Sequence, residues 1–352
     1  MIKILILDKN ENYLNKLIKF FNVKYSDKLE IYSFVEYQKA ITLLEETKID
    51  IFLVSDYFDV DIDSIPRRCS VVYLCDTANI ELINGVKAIC KYQNVDLIYK
   101  QILNIYSDNA SIKSIVKPAS NLKNKIICFN SIGGGSGAST ISASCAMYYA
   151  RLGKKTLYLN LEKFGSSDVF FYGDGQFNMS DVILALKSKK SNLAIKFESY
   201  VKKDKTGVNF FSSAKIALDM LELTIDDITT LISELKDTYE VIVIDSEFTL
   251  DKEIRDMFNK LNILSVWVSD SSEMSITKLN RVYESIAILE SNENISLLNS
   301  VYLLYNKYNC QFPHNDAGLN LRTIGNIKDY EYSSIRQLLD YVSSSNIFGN
   351  IL

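Results

Sequence analysis

Asn130-Ser-Ile-Gly-Gly-Gly-Ser-Gly-Ala-Ser-Thr140 lies where an apolar strand, Ile126–Asn130, turns into a helix over about Ala138–Arg151. At such a junction free backbone N–H groups and the helix dipole attract a phosphate, and glycines let the backbone approach it closely. Two phosphate-binding readings fit the residues. Gly133-x-Gly135-x-x-Ala138 matches the dinucleotide fingerprint, with Glu162 near the end of the next strand placed to take a ribose hydroxyl. Alternatively Gly134, Gly135, Ser136, Gly137, Ala138, Ser139 and Thr140 form a degraded P-loop. Ser139 then supplies the Mg²⁺-ligating hydroxyl and Thr140 a further phosphate contact. Tyr239-Glu-Val-Ile-Val-Ile-Asp245 decides for the P-loop: it is an apolar strand ending in the acid that holds the water shell of Mg²⁺.

Outward from the loop, strands alternate with helices. Thr156–Leu161, Gly207–Phe211, Val241–Ile244, Ile263–Val268 and Val301–Tyr305 read as strands. Ser180–Leu186, Thr224–Lys236, Thr277–Glu290 and Ser333–Val342 read as helices. Residues 1–107 repeat the pattern on a smaller scale, with strands at Ile2–Leu7, Glu30–Phe34, Ile49–Val54, Val71–Leu74 and Ala88–Cys90. Their helices are Glu11–Asn22, Tyr37–Glu46 and Val95–Tyr106. The Ser-, Asn- and Lys-rich segment 108–123, with Pro118, reads as a linker. The expectation is α/β: two doubly wound parallel-sheet domains, at 1–107 and 124–352.

Composition removes several classes of function. The 352 residues carry 39 Lys and Arg against 43 Asp and Glu, a net charge of -4, which argues against a broad polyanion-binding face. Lys187-Ser-Lys-Lys190 and Lys202-Lys-Asp-Lys205 read as solvated runs, so DNA binding is not expected. His314 is the single histidine, so no site needing two can exist. The six cysteines form no C-x-x-C pair and read as reduced thiols. No run of about 18 apolar residues is present, and the N-terminus turns charged after seven residues. These features lead us to expect a soluble, cytoplasmic protein without an integral membrane segment.

The order of motifs resembles the deviant-Walker ATPases of the MinD/ParA class. It runs through the glycine loop, Leu157-Tyr-Leu-Asn-Leu-Glu162, Asn209-Phe-Phe-Ser-Ser-Ala214, the helix beginning at Thr224, Tyr239–Asp245, Ile263–Val268 and Val301-Tyr-Leu-Leu-Tyr-Asn306-Lys307. With a receiver-like domain in front, the whole chain resembles the CpaE/TadZ branch. The resemblance implies ATP and Mg as ligands, a homodimer, and the positioning of pilus-assembly or secretion proteins at a pole or, through partners, at the inner face of the membrane. It assigns Asn306 to adenine. The family's loop begins Lys-Gly-Gly-x-Gly-Lys, and both lysines are replaced here, by Gly133 and Ala138. The family's Asp-x-Asp on the next strand reads Asn160-x-Glu162, leaving Glu162 as the candidate catalytic carboxylate. Losing two cations from the site implies nucleotide binding with little or no hydrolysis. The competing expectation is an active ParA/MinD-type ATPase in DNA partition or division-site placement, with residual catalysis by Glu162.

The N-terminal domain resembles response-regulator receivers with an incomplete site. Asp8 is followed by Lys9 where a second acid is expected. The phospho-acceptor position falls on Ser55, with Asp56 one residue late. The fifth strand ends in the expected Lys91, followed by Tyr92 in place of proline. Asp8, Asp56 and Lys91 are therefore read as an exposed, degenerate polar rim on an interaction module. The apolar tail residues Ile347, Phe348, Ile351 and Leu352 make the C-terminus a candidate for docking on a partner.

Overall fold

The computed structural model describes residues 1–108, 124–188, 192–270, 272–308, 319–332 and 334–351. The linker, apart from Asp108, and His314 lie outside the described residues. The chain divides into two compact units, each built on its own sheet.

The first unit begins β1 (Ile2–Leu7), α1 (Glu11–Lys24), β2 (Leu29–Phe34), α2 (Tyr37–Glu46) and β3 (Ile51–Ser55). It continues β4 (Ser70–Cys75), β5 (Leu82–Ile83), β6 (Val86–Cys90) and α3 (Val95–Asp108). The strand order is β2-β1-β3-β4-β6-β5, parallel except for the short edge strand β5. That order puts the C-terminal ends of β1, β3 and β6 on one rim, the place where doubly wound sheets carry their sites. Asn10 caps α1 by accepting from Tyr13 N–H, and Leu14, Leu17 and Phe21 bury one face of the helix. Between β3 and β4 a 3₁₀ turn, Ile62–Ser64, stands where such folds usually place a helix.

The second unit contains β7 (Lys125–Ser131), α4 (Ala138–Arg151), β8 (Thr156–Asn160) and α5 (Met179–Lys187). The next helix in the chain, α6 (Leu193–Tyr200), belongs to the first unit. There Ile195 packs against the core that holds Tyr99, Ile102 and Leu103, and the buried Lys196 meets Asp108 at 2.5 Å. The sequence division at 108–123 assigns this stretch to the second domain; tertiary packing places it with the first. The second unit resumes with β9 (Lys202–Lys203), β10 (Asn209–Phe210), α7 (Ile225–Leu235), β11 (Val241–Asp245), α8 (Lys252–Leu261) and β12 (Ile263–Ser269). It ends with α9 (Glu273–Glu293), β13 (Val301–Tyr308), β14 (Arg322–Lys328) and α10 (Ile335–Ser344).

Its eight strands run β14-β13-β12-β7-β11-β8-β10-β9, all parallel except β9. β7 is thereby central, with the Asp245 strand on one side and β12 on the other, so both motif ends open on the same rim. Strands buried on both faces read as continuous apolar runs, as Val241–Ile244 does. Helix α10 packs on α4, and Phe348 and Ile351 lie within the unit's own core. These tail side chains are buried in their own fold rather than standing free for a partner, which removes their apolar surface from water. Among the described residues no helix is long and apolar enough to cross a membrane.

Candidate functional site

The glycine loop joins β7 to α4 and is fixed by side chains from three elements. Within it, Ser131 Oγ bonds the Gly133 carbonyl and lies 2.7 Å from Ser136 Oγ. Asn306 Nδ2, at the end of β13, donates to the Ser136 carbonyl at 2.8 Å. Lys307 Nζ donates to the Gly135 carbonyl at 2.8 Å. Gly137 sits at φ +85 and begins α4; a Cβ there would come within 2.6 Å of Asn306 Nδ2. Both the backbone sign and the close approach therefore require glycine. A Cβ on Gly133 would stand 2.7 Å from Ser275 Oγ on α9, so the position of the family's first lysine is packed against a neighbouring helix.

Below the loop, Asp245 ends β11 with no exposed surface. Its Oδ2 accepts from Tyr158 Oη at 2.9 Å and Asn160 Nδ2 at 3.2 Å, while Oδ1 has no hydrogen-bond partner. Burial, with the nearby Glu162 charge, pushes the Asp245 carboxyl up to about 7 against the pull of neighbouring hydroxyls that include Ser139. Ser139 Oγ is 3.5 Å from both oxygens of Glu162. The Glu162 carboxyl is also raised, by burial and by Glu247, and lowered in part by Ser139. Asn160, in place of the family's first acid, accepts from Glu162 N–H at 3.0 Å and so orients that residue. Cys128, 3.2 Å from Ser246 Oγ, has its thiol pushed up to about 12 by burial, which leaves it inert.

A buried carboxyl oxygen without a partner, beside a helix-start hydroxyl and under a nest of amides, fits Mg²⁺ with a phosphate chain. Ser139, Asp245, Glu162 and the loop Gly134–Thr140 come together as the sequence places them. Asn306 reaches the same loop, with its amide nitrogen committed to backbone. Lys307, which ends the same motif in the sequence without a role assigned to it, also reaches the loop. It stands at φ +54. There the register on β14 steps from Tyr305↔Asn326 to Tyr308↔Lys328, three residues against two. No motif encodes that bulge.

In the receiver unit the rim is buried where exposure was expected. Asp8 and Lys91 are 1% and 5% exposed. Lys91 Nζ lies 2.9 Å from Asp8 Oδ2, 3.2 Å from Asp76 Oδ1 and 3.0 Å from Ser55 Oγ. Burial works against the ammonium, but its bonds to Asp8 and Asp76 outweigh that and hold its pKa above the usual lysine value. Asp56 is exposed, and its backbone N–H bonds the Leu74 carbonyl. Ser55, fully buried, takes the place at the end of β3. Asp8, Ser55 and Lys91 thus form one buried cluster, which the exposed Asp76 caps from the solvent side and Asp56 does not join. Lys9 points instead over the Phe58 ring at 5.3 Å.

Residues 1–107 match the TadZ-like receiver domain family. No curated protein matches the chain in sequence. Among solved structures, the ParA family ATPase from Chlorobium tepidum TLS aligns over 65% of this chain and 96% of its own, at 14% identity and TM-score 0.51. The septum site-determining protein MinD with Mg-ADP from Pyrococcus horikoshii OT3 covers 65% and 94%, at 15% identity and TM-score 0.49. The first of these shows a shared fold over 65% of this chain. A TadZ-like receiver domain joined in one chain to a unit of that fold fits a CpaE/TadZ-like protein.

Proposed function

We propose that the chain is a localisation scaffold for a pilus-assembly or secretion complex. Its second unit binds ATP with Mg²⁺ and dimerises, with little or no hydrolysis. The observation that carries the nucleotide reading is Asp245 Oδ1, buried and unpartnered beside Ser139 beneath the glycine loop. The backbone amides of Gly134–Thr140 would hold the phosphates, Ser139 the metal directly and Asp245 the metal through water. With its nitrogen on Ser136, Asn306 has its amide oxygen left for adenine. When bound, Mg²⁺ neutralises phosphate charge. Weak turnover follows from the chain itself, since Gly133 and Ala138 supply no cation inside the loop. The partners would engage the receiver unit, whose closed pocket leaves its surface as the working part.

Calorimetry with Mg-ATP, light scattering with and without nucleotide, and phosphate release test the reading together. Expected are saturable binding, a dimer with ATP, and release far below one per second. Absence of adenine-nucleotide binding would sink the proposal. Turnover at tens per second would sink its non-catalytic half and favour an active partition ATPase.

A further inference from the structure

We propose that the second unit holds a binding slot for a single hydrocarbon chain, between helices α7 and α8 and the sheet. Alternate residues of a strand face opposite sides of its sheet. Phe129, Val243 and Val266 pack on the side of α4, whereas Cys128, Ile244 and Trp267 line a cavity of about 400 Å³ on the other side. That volume is in the range of small-molecule sites, about 300–1,000 Å³. Two apolar helix stripes meet over it. Ile225, Ile228 and Ile232 recur at helical spacing along α7, and Ile254, Met257, Phe258 and Leu261 along α8. Ile232, Met257 and Leu261 are buried, while Ile225, Ile228, Ile254 and Phe258 are only half-buried and line the cavity. Apolar surfaces that face one another across such a gap forfeit their mutual contacts, and an apolar occupant restores them.

The polar groups of the lining select the occupant. On the floor, Asn130 Nδ2 donates to the Ser246 and Glu247 carbonyls at 3.1 and 3.3 Å and to Ser246 Oγ at 3.0 Å. Asn130 Oδ1 accepts from Ser265 Oγ at 3.2 Å, and Cys128 Sγ lies 3.2 Å from Ser246 Oγ. These groups are bonded to one another, so a peptide inserted here would bury its own amides without partners. A hydrocarbon chain brings no such groups. At the rim, Arg255 bonds Glu293 at 2.9 Å and the Leu250 carbonyl at 3.2 Å, and Lys163 pairs with Glu247 at 3.7 Å. Rim charges of both signs, already paired, make the slot a reader of the chain rather than of a charged head. Asn130 opens the glycine-loop motif and Ser246 follows Asp245, so the occupant would lie directly behind the nucleotide site while using none of its residues.

Trp267 is the single tryptophan of the chain and lines the slot, so its emission reads occupancy directly in the wild-type protein. The full-length chain is titrated with 12-bromododecanol and with 12-bromododecanoate, whose bromine quenches tryptophan at contact range. Saturable quenching by both is expected, with dissociation constants within about threefold of each other. Ile228→Phe combined with Ile254→Phe fills the slot from both helices. It should weaken both ligands at least about 10-fold while keeping or raising the thermal midpoint. Leu152→Phe, at an exposed position beside α4, should leave quenching unchanged. Phosphatidylcholine vesicles with brominated chains separate the sources: quenching by them assigns the chain to a membrane lipid, and quenching by the soluble chains alone assigns it to a free one. The wild-type titration stands whether or not the double variant folds. Quenching by the carboxylate alone, or unchanged quenching in a folded double variant, overturns the inference. Absence of quenching by either soluble chain also overturns it and leaves the slot to side chains of a partner protein. None of these outcomes bears on nucleotide binding, which calorimetry decides separately.

Discussion

In the receiver pocket Asp8 meets the Lys91 ammonium at 2.9 Å, whereas under the glycine loop Asp245 meets only neutral donors. Both carboxyls are buried at the C-terminal rim of a parallel sheet. A buried acid is tolerated when a fixed cation faces it, or else it takes up a proton or a metal. The first pocket carries its counter-ion in the chain, which makes it a closed structural cluster. The second leaves its counter-ion to a ligand. Sites that look equally degraded in sequence therefore differ in what they can still bind.

The largest effect expected from this contrast follows from removing the built-in cation. Lys91→Met leaves Asp8 buried with only the Asn10 N–H at 2.8 Å, and it should destabilise the receiver unit by about 3–5 kcal/mol. Hydrogen exchange of the β1 amides in the full chain would read the loss for that unit. Adding Asp8→Asn should restore much of it, because the unpaired charge goes with the carboxylate. A single variant as stable as wild type would mean that the cluster is not held by charge.

Under the loop the sign is reversed. The Asp245 carboxyl is raised from 3.8 to about 7 in the fold, so between these values the native state keeps a proton that the unfolded chain has released. Stability of the nucleotide-free protein should therefore fall as pH rises from about 4 to 7 and level off above. Asp245→Asn should flatten that slope and stabilise the nucleotide-free protein at pH 8 by roughly 2 kcal/mol, below the full linkage value because Asn is itself polar and buried. The same variant should lose the Mg²⁺ dependence of ATP binding. Denaturant titrations across pH, with and without Mg-ATP, check both. A variant less stable than wild type at pH 8 would erase the contrast with the receiver pocket.

How much of this could be read in advance depends on how local its cause is. The strands around Ile126–Asn130 and Val241–Asp245 were legible because strands buried on both faces are apolar throughout. Loop, Ser139 and Asp245 were legible for a related reason: a phosphate nest needs its residues at fixed spacing along the chain. Helix α8 escaped because only Met257 and Leu261 are buried in a run dominated by charge and amide groups. β14 escaped because only two of its seven residues, Ile324 and Ile327, are buried. Helix α6 is locally ordinary, and nothing along the chain says that Ile195 would find the first core. The reach of Lys307 to the loop was hidden for the deepest reason, since it depends on a register step between two strands. The burial of Asp8 and Lys91 belongs to the same class, because a rim is exposed or closed according to what crosses it.

The smallest effect concerns Ser55, where receivers place their phospho-acceptor. Its hydroxyl contacts Lys91 Nζ beside two carboxylates and the face of the Tyr57 ring. Removing it with Ser55→Ala should cost about 1.5 kcal/mol, since the ammonium loses one uncharged acceptor and keeps both carboxylates. If the cluster is closed by its own lysine, Ser55→Ala should also leave the receiver unable to bind Mg²⁺ or to take phosphate from a small phosphodonor, read by intact mass. A stoichiometric phosphate adduct on the wild type, lost with Asp56→Asn, would contradict this. It would mean that the exposed Asp56 reaches chemistry that its place outside the cluster does not suggest. Retained stability with no adduct would leave Ser55 a modest structural contact, and the two pockets would then differ as their buried charges indicate: one filled by the chain, one left for a ligand.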